Sequence, residues 1–257
     1  MQYITLRNGV KMPALGYGVY QVDPAECERC VAVALAVGHR SVDTAQAYHN
    51  EEGVGNAVAK SGVPREELFL TTKVWISNAG YERAKASIDA SLKKLRTDYI
   101  DLLLIHQPFG DYYGTWRAME EAYKAGKLRA IGVSNFYPDR LTDICLYAEI
   151  APMVNQVETH VFQQQKGAHA VMQKYGVAHE SWGPFAEAQV ALRYLIQSDV
   201  VVIPKSTHRE RMKENFEVFN FALTDGDMAK IAALDEKESA FFSHYDPAFV
   251  EMLSTVK

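Results

Sequence analysis

The chain has 257 residues, 48% hydrophobic and 23% charged, with 27 Lys plus Arg against 32 Asp plus Glu for a net charge of −5. That balance excludes a disordered or fibrous chain, and the mild acidity gives no reason to expect nucleic acid or an anionic membrane as partner. No apolar run reaches the roughly 18 residues of a membrane helix, the start Met1-Gln2-Tyr3-Ile4-Thr5-Leu6 lacks a signal peptide's basic opening and apolar core, and three cysteines point to a reducing compartment. The expectation is a cytoplasmic protein with a substantial core.

In chain order a hairpin comes first: Tyr3 to Leu6, a turn at Asn8-Gly9, then Val10 to Met12. Strand-like runs follow eight times: Leu15 to Val19, Ser41 to Asp43, Leu68 to Thr72, Ile100 to Ile105, Ala130 to Val133, Val154 to Val157, Val177 to Trp182, and Val200 to Ile203. Between them lie patterns with apolar residues at helical spacing, such as Pro24 to Val37 and Arg83 to Leu92. The first of these carries Cys27-Glu28-Arg29-Cys30, with the two thiols one turn apart on one face. No second cysteine pair or flanking histidine completes a zinc set, so the pair reads as partly buried structural cysteines. With no linker, repeat or charge block, residues 1–257 form one domain on this reading. Eight strands alternating with helices over about 250 residues fit an α/β (β/α)8 TIM barrel with an N-terminal β-hairpin. An open doubly wound sheet would place G-x-G-x-x-G after its first strand; here Gly16-Tyr17-Gly18 runs into Val19-Tyr20-Gln21 and the spacing is absent.

Side chains at the C-terminal ends of barrel strands face the active site. Asp43 closes the second predicted strand, Tyr48 lies in the loop after it, Lys73 ends the third and His106 ends the fourth. The gaps from Asp43 to Lys73 and from Lys73 to His106 are each about one β/α unit, so these groups rise from adjacent strands on one rim. Each alone has a plain structural reading, as helix cap, surface aromatic, solvated charge or core histidine. Together they suit proton delivery to a carbonyl oxygen. Lys73 would stabilise the Tyr48 phenolate and lower its pKa, Asp43 would anchor Lys73, and the His106 imidazole would orient the substrate oxygen. The carbonyl carbon still needs a nucleophile. No Ser-His-Asp set or H-E-x-x-H metal motif is apparent, no metal is expected, and a hydride from a cofactor is the simplest remaining choice. After the eighth strand, Ile203-Pro204-Lys205-Ser206-Thr207 leads into Arg209, Arg211, Glu214 and Asn215. A Lys, a Ser and arginines at a helix start suit a phosphate. A solvated helix face with Arg211 paired to Glu214 is the alternative.

Four stretches carry a resemblance along nearly the whole chain: Ser41 to Glu51 (SVDTAQAYHNE), Leu104 to Pro108 (LIHQP), Ile131 to Phe136 (IGVSNF) and Ile203 to Ser206 (IPKS). In these the sequence resembles the aldo-keto reductase family, most of all the bacterial-type reductases of small aldehydes, ketoaldehydes and diketo-sugar acids. The resemblance implies that Tyr48 is the general acid, with Asp43, Lys73 and His106 completing the catalytic set. It implies that Ser134, Asn135 and Gln156 hold the nicotinamide carboxamide of NADPH while Trp182 stacks on its ring. Lys205, Ser206 and Arg211 would bind the 2′-phosphate, and Glu214 and Asn215 would contact adenine. Tyr20, Trp75, Phe109 and Tyr112 are expected to line an apolar substrate pocket. Many family members carry Trp where Gln107 stands.

The expectation is an NADPH-dependent reductase of a small-molecule carbonyl, a monomer with no nucleic-acid or membrane partner. A nicotinamide-binding sensor on the same barrel is the alternative, and the intact set of four residues favours the enzyme. One departure stands out. Ser181 to Glu187 runs almost directly into Ala188 to Leu195, where family members usually carry a longer loop that closes over the cofactor pyrophosphate. Either that loop is deleted, or the chain as written is closed up across a mobile lid; the second reading is preferred on sequence grounds.

Overall fold

Asn8 and Gly9 turn the chain between β1 (Tyr3–Thr5) and β2 (Lys11–Pro13), which pair antiparallel with Ile4 opposite Met12. Gly9 takes φ +85°, a left-handed conformation that a side chain would oppose. This is the computed structural model of the chain, and it describes residues 1–184 and 189–256. The shortened junction at Glu187 and Ala188, a deletion or a closed-up lid on sequence grounds, lies outside the described residues.

Beyond the hairpin, eight strands make one parallel sheet in sequential order. They are β3 (Tyr17–Gly18), β4 (Ser41–Asp43), β5 (Phe69–Val74), β6 (Leu102–Ile105), β7 (Ile131–Ser134), β8 (Val154–Glu158), β9 (Ala178–Trp182) and β10 (Val200–Val202). Each is followed by a helix: α1 (Pro24–Val37), α2 (Glu51–Lys60), α3 (Tyr81–Leu95), α4 (Tyr112–Lys124), α5 (Pro138–Tyr147), α6 (Lys166–Tyr175), α7 (Gln189–Gln197) and α8 (Arg209–Phe216). Two more, α9 (Asp225–Ala232) and α10 (Pro247–Thr255), complete the chain. The sheet closes on itself. Leu15 bridges Val202 in parallel, the Gly16 amide donates to the Val202 carbonyl at 2.8 Å, and the Gly18 amide donates to the Pro204 carbonyl at 3.1 Å. This is the expected (β/α)8 barrel. The first barrel strand is shorter than the apolar run Leu15 to Val19, because its beginning is spent on the closing seam. A Cβ on Gly18 would stand 2.8 Å from the Ile203 carbonyl oxygen. Gly16 and Gly18, whose spacing does not make a phosphate turn, let the barrel shut.

α1 begins where Asp23 caps it by accepting from the Ala25 amide, with Pro24 in the first turn, and it ends at Gly38 with φ +124°. Its buried face includes Cys27 and Cys30, both free and fully buried, and burial pushes the Cys27 thiol up to about 12. That is the structural role read from the sequence, with more complete burial than expected. The hairpin lies across the N-terminal mouth of the barrel: Asn8 Nδ2 donates to the carbonyl of Arg129, just before β7, at 2.9 Å. The C-terminal segment crosses the opposite mouth. Ser239 and the Ala240 amide both donate to the Glu158 carboxylate at the end of β8, at 2.6 and 2.8 Å. Trp75, just past β5, donates from its indole to the Val256 carbonyl at 2.8 Å. No helix among the described residues is long and apolar enough to cross a membrane.

Candidate active site

Within that C-terminal mouth, β4 delivers Asp43 and β5 delivers Lys73, both buried. Lys73 Nζ donates to Asp43 Oδ1 at 2.5 Å, to the Thr44 carbonyl at 3.0 Å and to the Tyr48 hydroxyl at 3.5 Å. Tyr48 ends a short 3-10 turn from Gln46 to Tyr48 that is pinned on both sides. Gln46 Oε1 accepts from the Trp75 amide at 3.0 Å and from Asn78 at 2.9 Å. Thr44 donates to Asn50 at 2.7 Å, and Asn50 in turn donates to the Val19 carbonyl at 3.0 Å. His106 follows β6, and its ring stands edge-on to Tyr48 at 5.5 Å and to Trp75 at 4.9 Å between centroids. All four residues singled out on the rim therefore meet.

Their electrostatics differ from the sequence expectation in one respect. Burial pushes the Tyr48 phenol up to about 12, and Lys73 opposes that shift without overcoming it. The phenol thus keeps its proton at neutral pH. Burial acts to lower the Lys73 ammonium, but Asp43 and Tyr48 outweigh it and the net direction is upward, so the lysine stays charged. Burial, with Lys73 and His244 adding to it, holds His106 well below the usual histidine range. The imidazole is neutral and can donate one hydrogen bond while accepting another.

A second polar row lies beside this group. In the parallel register, Ser134 on β7 stands next to Gln156 on β8, and Gln156 next to Glu180 on β9, so all three share one side of the sheet. Ser134 donates to the Gln156 carbonyl at 2.9 Å, and Asn135, held at φ +63°, donates to Ser134 Oγ at 3.2 Å and to the His106 carbonyl at 3.1 Å. The Trp182 indole donates to Asn135 Oδ1 at 2.8 Å, and its ring is stacked against Phe242 at 5.8 Å. Gln156 Nε2 donates to Asp43 Oδ2 at 3.0 Å and to Glu180 Oε2 at 2.9 Å, joining the two rows. Glu180 was not singled out from the sequence. Its signal was there, as an acid two residues before Trp182 and hence on the same side of β9.

Further out, Ser206 is buried in the turn before α8, while Lys205, Arg211 and Glu214 are exposed and Asn215 is buried. The Tyr17 hydroxyl fixes that turn by donating to the Ser206 carbonyl at 2.6 Å. Of the expected pocket aromatics, Tyr20 lies 5.0 Å from the Tyr48 ring and Trp75 packs on His106. Phe109 stacks on His244 at 6.4 Å. Tyr112 is placed differently: it packs on Tyr113 and Phe136, with its hydroxyl 3.4 Å from Asp143 on α5. His244, from the C-terminal segment, was also missed by sequence reasoning; it is buried, and neither ring nitrogen is hydrogen-bonded to a described residue.

The sequence profile of the aldo/keto reductase family matches residues 8–189 and 187–236. The chain belongs to this family. The two matched segments overlap at residues 187–189. Glyoxal reductase of Bacillus subtilis (strain 168) is 45% identical over 257 residues, spanning 91% of this chain and 93% of that one. Among solved structures, MGS-M4, an aldo-keto reductase from a Medee basin deep-sea metagenome library, superposes with a TM-score of 0.92 at 38% identity. The match covers 95% of this chain and 98% of that one. A Bombyx mori aldo-keto reductase in complex with NADP gives a TM-score of 0.89 at 30% identity, covering 97% of this chain and 96% of that one. As a family member, the protein is an NADP(H)-dependent oxidoreductase that reduces aldehyde or ketone carbonyls.

Proposed function

We propose that this reductase acts on small aldehydes, ketoaldehydes and diketo-sugar acids, with Tyr48 as the general acid. The observation that carries the reading is the chain Asp43–Lys73–Tyr48 beside a neutral His106. The phenol enters the reaction protonated. As its O–H bond breaks and the proton passes to the carbonyl oxygen, the Lys73 ammonium faces the phenolate and stabilises it. Asp43 keeps that ammonium in place, and His106 orients the carbonyl oxygen by donating to it.

The donor set fits NADPH, which when bound supplies the hydride for the carbonyl carbon. Gln156 spends both amide hydrogens on Asp43 and Glu180, which leaves Oε1 to accept from a carboxamide. Ser134 and Asn135 supply the neighbouring polar groups, and Trp182 the flat surface for the ring. Lys205, Ser206 and Arg211 would hold the 2′-phosphate near the start of α8, with Glu214 and Asn215 at adenine. Tyr20, Trp75 and Phe109 would form the apolar wall of the substrate site, and a cytoplasmic monomer without nucleic-acid or membrane partners completes the proposal.

The test is NADPH oxidation followed by absorbance against methylglyoxal, simple aldehydes and keto-sugar acids. Turnover of at least one class is expected, and inactivity on every member would overturn the reading.

A further inference from the structure

Glu180 has no part in the chemistry set out above, yet it sits fully buried among the groups that perform it. Asp43 on β4 and Lys73 on β5 interact with it across the barrel, while Gln156 on β8 and Val201 on β10 flank it in register. Its single described hydrogen bond is the one accepted by Oε2 from Gln156 at 2.9 Å. Among the described residues Oε1 is buried without a partner, and no cation lies within ion-pair distance of the carboxyl. Asp43 already takes the one buried ammonium among the described residues at 2.5 Å. A second carboxylate there would carry a bare oxygen and an uncompensated charge, an arrangement that burial strongly disfavours.

We propose that Glu180 is a positioning residue for the proton donor: as the neutral acid it fixes the Gln156 amide and leaves Asp43 as the only carboxylate opposing Lys73. This rests on the reading of Tyr48 as general acid. When Tyr48 gives up its proton, the phenolate then faces one ammonium balanced by one carboxylate. Ionisation of Glu180 would add a second negative charge beside that pair, disfavour the phenolate and slow proton transfer to the carbonyl. Burial, reinforced by Asp43, pushes Glu180 up to about 8. Tyr48 is pushed up to about 12, Lys73 is shifted upward and His106 well down, each away from Glu180's window. A variant that cannot ionise at position 180 separates an alkaline loss of kcat caused by Glu180 from one caused by Tyr48.

The experiment compares wild type with Glu180→Gln, which keeps an oxygen for Gln156 Nε2 and cannot ionise. The pH dependence of kcat for carbonyl reduction is measured at saturating NADPH, together with the carbonyl KM. Wild type is expected to lose kcat as pH rises through about 8. The ratio of variant to wild-type kcat should rise three- to tenfold, to order of magnitude, from pH 7 to 9, with little change in KM. A second measurement does not need the variant to fold or the enzyme to turn over: 13C NMR of wild type labelled at glutamate carboxyl carbons. One glutamate should titrate near pH 8. If every glutamate titrates in the ordinary acid range, or if both proteins share one kcat profile, the proposal is overturned. Absence of turnover in wild type would instead overturn the general-acid reading on which it rests, while the NMR titration still reports the state of Glu180.

Discussion

One hydroxyl, one ammonium and one imidazole share the rim of this barrel, and burial treats each according to its charge. It raises the Tyr48 phenol, which is neutral when protonated, and lowers His106, which is neutral when deprotonated. Lys73 escapes because Asp43 sits 2.5 Å away. The site thus holds a loaded acid, a fixed cation and a neutral donor at neutral pH. Cofactor choice is a residue-scale matter as well. Arg211→Ala should raise the NADPH Kd by roughly ten- to a hundredfold, the worth of a charge-assisted hydrogen bond, and leave NADH within about twofold. Fluorescence titration with both cofactors checks this, and equal losses would show that Arg211 does not read the 2′-phosphate. Asp43, Tyr48, Lys73 and His106 were legible in the sequence because each stands at a strand end or in the loop after it, where polar groups face the mouth. Glu180 and His244 were not. Glu180 lies below the rim in an otherwise ordinary strand, and His244 reaches the site from a segment with no strand to fix its position in advance.

At the scale of elements, local chemistry set most boundaries. Pro24 and Gly38 bracket α1, and the run Ser41 to Asp43 is β4 residue for residue. Where the reading and the structure part, tertiary contacts decide: Leu15 and Gly16 serve the closing seam, and β5 runs on to Val74 because it pairs with β6 through Ile105. Asp101 illustrates what periodicity does not announce. It is fully buried just before β6, where it accepts from Arg65 at 2.6 Å, from Arg129 at 2.7 Å and from the Leu70 amide at 2.9 Å. One carboxylate thereby ties together the segments leading into β5, β6 and β7. Asp101→Ala would strand a partly buried guanidinium and a buried amide, and should cost about 3–5 kcal/mol. Urea denaturation of the variant measures this directly. A loss under about 1 kcal/mol would place the tie among ordinary surface ion pairs.

The whole molecule joins these scales by closing a sheet. Because β3 meets the end of β10 through Gly16 and Gly18, the strand ends form a ring, and residues as distant in sequence as Asp43 and Gln156 come within 3.0 Å. The hairpin covers one mouth. At the other, the C-terminal segment is held by Glu158 and Trp75 and brings Phe242 and His244 over the site. A polar cluster in a mouth walled by aromatics is what a carbonyl reductase needs: its charges are fixed and its acid is partly buried among them. The account stands on Tyr48 supplying the proton. The most direct measurement is steady-state kinetics of Tyr48→Phe beside its NADPH affinity, because that change removes one oxygen and leaves the ring in place. The account predicts a near-normal NADPH Kd with kcat reduced about 10²–10⁴-fold, whereas a variant keeping more than about a tenth of the wild-type kcat would contradict it.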